Sequence, residues 1–559
     1  MHTISDIEVA RRRDALESST GAWEFRSLAQ AFDLIAGRHD ERAYVLGEST
    51  SYTYRQVRLA SIGIAGALLR LGVTPGDRVA MLIDNSPDYA AIKIAIARIG
   101  AVAVPLNYSY RRDEIRARVV QARARVLLSI ERSAATDFID AFDGILPGWR
   151  DGATSADLPD LEHIVLVNDL LRLAMGRPDQ DAIAELTAAV KPDDTCDIVF
   201  TSGTTGHALG AELTHDMVLR SGYGSAYHRA FDDGWRISFA LPLYHVFGYI
   251  EGMLAAMFVG GAIAPLPVFN PKTALSVIEQ HRINEVLFVP TMTVAVVDQA
   301  VKQSYDLSSL QSVFSAAAPA PVWLWERVLS DLAPTMVFTG YGQTEVSAAT
   351  ALTLPGDSIQ TVSAAVGTPK LGGMAATDPS GRLATYRTID PFTGEPLPEG
   401  ETGELSVRGV QVTHRYFDNP ERTAASIDED GWLRTGDLGF IDADGYLHLS
   451  GRSSELFKMG GELVAPAEVE QLLTGIDGVS QAYVAGVPDE RFGEVGWAWV
   501  VASEGAALDE RALLAHCREH LAPFKVPRGV TLLGAEELPM TTTGKIQKFL
   551  LVQSRSTAV

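Results

Sequence analysis

Apolar positions along this chain follow two rhythms, and the change from one to the other marks its organisation. Helical spacing of apolar residues over 27–35 and 54–71 predicts two amphipathic helices. Between them, 43–46 and 51–53 read as short strands flanking a turn at Gly47-Glu48. Continuous apolar runs follow at 78–83 and 101–106, separated by a predicted helix over 87–99. Short buried runs alternating with helices describe a parallel α/β architecture. The pattern resumes at 197–200, 238–242, 285–290, 312–315 and 336–339. Each of these runs ends in small or polar residues, where open parallel sheets place their ligands.

From about residue 385 the spacing tightens. Turn signals separate short alternating runs up to residue 450, the texture of an antiparallel meander or small barrel. After Gly451-Arg452 it changes again, with helices expected at 466–473 and 510–521 and strands at 482–487 and 497–502. That is a small α+β unit of about a hundred residues, near the common domain size. The fold expected is therefore α/β. A large N-terminal domain, 1–450, carries parallel α/β sheets plus a small β-barrel-like part at about 385–450. A smaller mobile α+β domain follows at 451–559, with the boundary at 450–455. Residues up to about 19 read as a polar, mobile lead-in and 148–181 as peripheral loops. The most apolar stretch, 252–269, reads as a buried helix then a buried strand, because Gly260-Gly261, Pro265 and Pro267 interrupt it.

Charge narrows the function classes. The chain has 559 residues and a formal net charge of −23, which argues against binding nucleic acid or an anionic membrane by bulk electrostatics. Its two cysteines, Cys196 and Cys517, build neither a disulfide framework nor a metal cluster, and the first residues lack the apolar run of a signal peptide. A cytoplasmic protein is expected.

The chemistry concentrates in FTSGTTGHALG, residues 200–210. Thr201, Ser202, Gly203, Thr204, Thr205 and Gly206 are all hydroxylic or glycine. Glycines allow close backbone approach, successive N–H groups form a nest for an anion, and hydroxyls add uncharged donors. The loop is neither GxxxxGK[ST] nor GxGxxG. It resembles the phosphate loop of the adenylate-forming superfamily, which includes acyl-CoA synthetases, luciferases and peptide-synthetase adenylation domains. The usual form is TSGTTGxPKG; here Ala208 replaces the proline and Leu209 the lysine.

Five further stretches match the superfamily in its usual order over nearly the whole chain. In Leu241-Pro242-Leu243-Tyr244-His245, the resemblance puts His245 at the acyl pocket mouth. Ser315-Ala316-Ala317-Ala318-Pro319 corresponds to SGGAP, so Ala317, Ala318 and Pro319 would lie against adenine. In Tyr341-Gly342-Gln343-Thr344-Glu345, Tyr341 would stack on adenine beside Gly342, Thr344 would bond the α-phosphate and Glu345 would hold Mg²⁺. Asp437, in Arg434-Thr435-Gly436-Asp437, would accept from the ribose diol, and Arg452 would add a ribose or phosphate contact. Lys545, in Thr542-Thr543-Gly544-Lys545-Ile546, resembles the mobile catalytic lysine, whose ammonium bridges the substrate oxyanion and α-phosphate. Lys458 and Gly460-Gly461 resemble the stretch that lines the site in the second half-reaction. Position relative to these motifs puts Phe247, Tyr249, Met292, Ser315 and Gly340 in the substrate pocket.

The resemblance implies ATP-dependent adenylation of a small or medium carboxylic acid, aryl acids included, with release of pyrophosphate and transfer to CoA. An amine or carrier protein as acceptor, or an ATP-dependent diazotase that adenylates nitrite for an aryl amine, keeps the same first step. A member that binds nucleotide without turnover is the alternative from another class, and retention of Glu345, Asp437 and Lys545 speaks against it. Leu209 removes a charge-assisted contact worth about 1.5–3 kcal/mol, which predicts weakened ATP use without abolishing it.

Overall fold

Two largely parallel sheets carry out the α/β expectation. A computed structural model describes residues 4–47, 50–133, 136–201, 208–459, 462–489, 491–503, 505–540 and 546–556. Contacts divide the chain into two compact units. One comprises Met1–Thr385 with Arg408–Leu433, the other Tyr386–Val407 with Arg434–Val559.

In the first unit, a six-stranded sheet runs in the spatial order His163–Leu166, Ala124–Ser129, Arg78–Leu82, Val102–Pro105, Thr195–Phe200, Gly210–Thr214, and only the last pairing is antiparallel. A seven-stranded sheet follows the order Met336–Phe338, Ser312–Ser315, Glu285–Phe288, Arg236–Phe239, Ala262–Pro265, Ala43–Leu46, Ser51–Thr53, again with one antiparallel pairing at its end. Their apolar runs are buried, as parallel strands covered on both faces must be. One core spans both sheets, joining Val79 and Met81 to Ile237 and Phe239 with helices Tyr54–Arg70, Tyr89–Arg98 and His215–His228.

A four-stranded sheet, most of it in the second unit, takes Ala384–Ile389, Gly403–Gly409, Leu433–Ile441 and Leu447–Arg452 in sequential order, the meander rather than the barrel of the two textures expected. The α+β part of the second unit pairs Val479–Asp489 with Gly493–Ala502 over a core of Phe457, Val484, Ala498, Val500 and Leu513.

Three local expectations are corrected. The lead-in is a helix, Asp6–Thr20, whose N-terminus Ser5 caps by accepting from Glu8 N–H at 3.3 Å. It carries no apolar stripe. Arg12 pins it instead, donating to the Gln311 side chain at 2.9 Å and the Ala230 carbonyl at 3.3 Å, so periodicity missed it. The 148–181 stretch supplies a sheet strand, His163–Leu166, and a helix, Val167–Ala174, that buries Val167 and Leu170. The strand runs straight into the helix with no turn between them, and Pro, Asp and Gly on both sides gave the whole stretch the composition of loops. The helix expected from 252 begins earlier, as a π-helix over Phe247–Leu254 continued by Ala255–Phe258. Among the described residues no helix is long and apolar enough to cross a membrane.

Candidate active site

The strand Thr195–Phe200 ends where the phosphate loop begins, and the strand Gly210–Thr214 takes the chain back antiparallel to it. Thr201 N–H donates to the Leu209 carbonyl at 2.8 Å, and Phe200 pairs with Gly210, so this hairpin closes the neck of the loop. The Ala208 carbonyl accepts from Gln121 Nε2 at 2.8 Å. Ser202, Gly203, Thr204, Thr205 and Gly206 lie outside the described residues, as do Gly460, Gly461 and Lys545. On the strand leading into the loop, the buried Asp197 carboxylate contacts the equally buried Lys93 ammonium, which stands 4.6 Å from the centre of the Tyr249 ring.

The third motif forms a hairpin. Gly340–Gln343 pairs antiparallel with Ala348–Leu352, and the turn Thr344–Val346 joins them. A Cβ at Gly342 would collide with the Ala348 carbonyl, so the close approach requires glycine. Tyr341 is buried, and its hydroxyl accepts from Gln343 Nε2 at 3.2 Å. Thr344 is buried and Glu345 half-buried. Tyr416 donates its phenol proton to Glu345 Oε1 at 3.0 Å. Burial first, and then the Glu345 charge, push the Tyr416 phenol above its usual range, so it stays protonated and donates. The Glu345 carbonyl accepts from Thr413 N–H at 2.7 Å. Arg415 anchors that segment with a two-pronged pair to Glu212, at 2.9 Å on each oxygen. Glu212 lies on the strand leaving the phosphate loop, so the chain after Thr413 ties Glu345 to the loop's own hairpin. Sequence reasoning missed Tyr416; its local signal is the aromatic pair Tyr416-Phe417 ahead of the Asn419-Pro420 helix start.

Among described residues no three His, Cys, Asp or Glu side chains gather as a metal cage. A lone oriented carboxylate such as Glu345 is the donor set that suits Mg²⁺, which binds through one or two carboxylates plus substrate phosphates.

Strand Ser312–Ser315 ends in the alanine motif. Ala317 adopts φ +72°, the left-handed region that glycine favours, and Ala317, Ala318 and Pro319 are exposed. The chain thus holds an alanine where the backbone conformation favours glycine. Ser315 shares a hydrogen bond with Thr293 at 2.8 Å between their hydroxyls. Phe247 meets Phe314 edge to face, 5.1 Å between ring centres, and the half-buried Met292 packs on the same core. Space at Gly340 is bounded by Leu352 and Phe314. Tyr249 is buried deeper.

His245 is half-buried, and its Nδ1 accepts from Phe247 N–H at 3.3 Å. Burial lowers its pKa to about 4, so at neutral pH it is an uncharged hydrogen-bonding group. A second group missed from sequence sets its loop. Asn85 Nδ2 donates to the Leu241 and Leu266 carbonyls, each at 3.0 Å, while its Oδ1 accepts from Leu243 N–H at 2.8 Å. The Tyr89 hydroxyl donates to the Leu243 carbonyl at 2.8 Å.

In the second unit, Asp437 and Arg452 face each other across adjacent strands, with Arg452 Nε 3.1 Å from Asp437 Oδ1. The Thr435 hydroxyl accepts from the Asp437 backbone N–H at 3.1 Å, which fixes the backbone beneath the buried carboxylate. Lys458 is exposed, with its ammonium 5.8 Å from the Phe392 ring centre.

Comparison with known proteins defines the class. Residues 32–417 match the model for AMP-binding enzymes, and residues 468–545 match the AMP-binding enzyme C-terminal domain. A methyl-dioxo-octahydro-indenyl-propanoyl:CoA ligase of Mycobacterium tuberculosis is 36% identical, aligned over 94% of this chain and 98% of its own. ATP-bound MatB from Rhodopseudomonas palustris superposes with a TM-score of 0.81 at 26% identity, covering 95% of this chain and 99% of that one. The anthranilate CoA ligase AuaEII, in complex with anthranoyl-AMP, gives 0.80 at 26% identity, covering 97% and 100%. The chain belongs to the AMP-binding enzymes, the adenylate-forming superfamily of acyl-CoA synthetases. It is an AMP-forming acid–thiol ligase, using ATP and CoA.

Proposed function

We propose that this ligase activates a small or medium ring-bearing carboxylic acid. The acid's carboxylate attacks the α-phosphorus of ATP, pyrophosphate leaves, and an acyl-adenylate forms. The CoA thiol then attacks the acyl carbonyl and AMP leaves. The observation that carries the acid class is the edge-to-face pair of Phe247 and Phe314 beside Ser315, an aromatic wall at the end of a parallel strand. The similarity to ligases named for a bicyclic propanoate and for anthranilate supports it.

In this reading Tyr341 stacks on adenine against Ala317, Ala318 and Pro319, Thr344 bonds the α-phosphate, and Asp437 with Arg452 takes the ribose. Glu345, oriented by Tyr416, would hold Mg²⁺, which when bound neutralises phosphate charge. His245 is neutral at working pH, so it orients the acid by hydrogen bonding and does not balance its charge. Lys545 is the cation assigned to that balance. The C-terminal domain from about residue 451 then turns to bring Lys458, with Gly460 and Gly461, to the thiol-transfer step.

Pyrophosphate release on a panel of acids tests this. The panel runs from acetate and hexanoate to benzoate and cyclic propanoates, with nitrite included, each with and without CoA or an aryl amine. Ring acids with CoA should give the highest kcat/KM. A straight-chain acid preferred over every ring acid overturns the substrate reading, and turnover of nitrite with an aryl amine alone replaces it with diazotisation.

A further inference from the structure

Directly after the turn Thr344–Val346, two consecutive non-glycine residues take left-handed backbone: Ser347 at φ +53° and Ala348 at φ +77°. L-residues meet a steric cost there and persist only when their surroundings hold them. The chain on both sides is gripped. Ser221 Oγ donates to the Ser347 carbonyl at 2.5 Å, and Ala349 N–H donates to Glu251 Oε1 at 3.1 Å. That same Glu251 oxygen accepts from Lys370 Nζ at 2.9 Å, and its other oxygen lies 3.3 Å from Arg229 Nη2. Lys370 also donates to Ser221 Oγ at 3.1 Å and Ser225 Oγ at 2.9 Å. Arg229 reaches Glu285 Oε2 at 2.5 Å, and Glu285 Oε1 accepts from Ser312 Oγ at 2.8 Å.

Two acids and two bases are thus wholly buried and mutually paired. A buried ionic cluster is weak evidence for stability, because desolvation offsets much of the attraction. What it supplies here is fixed geometry at one backbone reversal. That reversal turns the chain so that Ala348–Leu352 runs back along Gly340–Gln343.

We propose that Glu251, clamped by Lys370 and Arg229, is a positioning residue for the nucleotide motif. It holds Ala349 and, through the strained reversal at Ser347 and Ala348, fixes the backbone that presents Thr344 and Glu345. The inference rests on the assignment of those two residues to the nucleotide. Glu251 sits on the same π-helix as Phe247 and Tyr249, so one carboxylate ties the acyl-pocket wall to the nucleotide motif. Irregular helices of this kind frequently mark functional sites.

The test is ATP-dependent pyrophosphate release by the full chain, read as separate KM values for MgATP and acid. Glu251→Gln should raise the KM for MgATP roughly tenfold while the KM for acid moves less than about twofold. Adding Ala348→Gly should recover most of that loss, because glycine takes the left-handed conformation without a steric cost and needs no clamp. If Glu251→Gln does not fold, Ser221→Ala loosens the same reversal with all four charges in place. It should raise the KM for MgATP about threefold, also reversed by Ala348→Gly. A cluster that only stabilises the fold would lower Tm and leave the KM for MgATP unchanged. That result, or failure of Ala348→Gly to rescue, overturns the proposal. Thr344→Ala is the companion variant. An unchanged KM for MgATP there overturns the nucleotide assignment and the clamp with it, whereas a raised one beside unchanged Glu251→Gln overturns the clamp alone.

Discussion

Replacing Tyr416 with phenylalanine removes one oxygen, the donor that holds Glu345 Oε1 at 3.0 Å. A hydrogen bond to a charged group contributes about 1.5–3 kcal/mol. Tyr416 is buried, so the ring keeps its packing, but Glu345 is half-buried and water can take over part of the lost bond. The lower end of the range therefore applies, about 1.5 kcal/mol, or a tenfold fall in kcat/KM for MgATP. The loss should sit in the adenylation step, and higher Mg²⁺ should partly restore it, because the carboxylate is still present but less well aimed. The assay is pyrophosphate release over a grid of ATP and Mg²⁺ concentrations, with thermal melts of both proteins. Equal kcat/KM for MgATP in Tyr416→Phe and wild type across the whole Mg²⁺ range, limiting Mg²⁺ included, refutes the claim that Tyr416 orients a working carboxylate.

Three other outcomes are expected. Leu209→Lys restores a cation at the neck of the phosphate loop and should tighten ATP about tenfold, the lower end of the about 1.5–3 kcal/mol such a contact contributes; unchanged or weaker ATP binding in a variant that melts like wild type would show that the loop has adapted around an apolar side chain. Ala317→Gly relieves an exposed residue held at φ +72°, so stability should rise by about 0.5–1 kcal/mol, and a lower Tm contradicts it. His215, His228 and His245 have pKa values pulled below 6.5 by burial, to about 3, 3 and 4. The unfolded chain therefore binds protons that the folded one refuses, and the stability these groups support is complete above about pH 6.5 and lost as pH falls toward 4. His228 shows the reason: its Nδ1 accepts from Leu371 N–H at 3.0 Å, so Nε2 carries the proton opposite the Thr353 carbonyl at 3.1 Å and the ring has no place for a second one. Melts from pH 7.5 to 4.5 should slope downward, and His228→Gln should flatten that slope; a Tm independent of pH in wild type rules it out.

Much of this protein was legible along the chain because its signals are local. Buried parallel strands are continuous apolar runs, so Thr195–Phe200, Glu285–Phe288 and Ser312–Ser315 stood out without any knowledge of their partners. The loop at 200–210 was readable because its unbroken run of glycine and hydroxyl residues suits a nest for an anion, and the Tyr341 to Glu345 motif because it resembles the superfamily's. Tertiary structure alone decided what depends on distant segments. The Asp6–Thr20 helix has no apolar stripe and is held by Arg12 reaching residues more than two hundred positions away. Tyr416 matters through Glu345, 71 positions earlier, and Asn85 through a loop about 156 positions later. The four buried charges, Glu251, Arg229, Glu285 and Lys370, come from four separate stretches of the chain, and nothing in any one stretch shows that they pair. Local composition records what one stretch must do by itself; a side chain that acts by holding another leaves its trace only where the fold brings the two together.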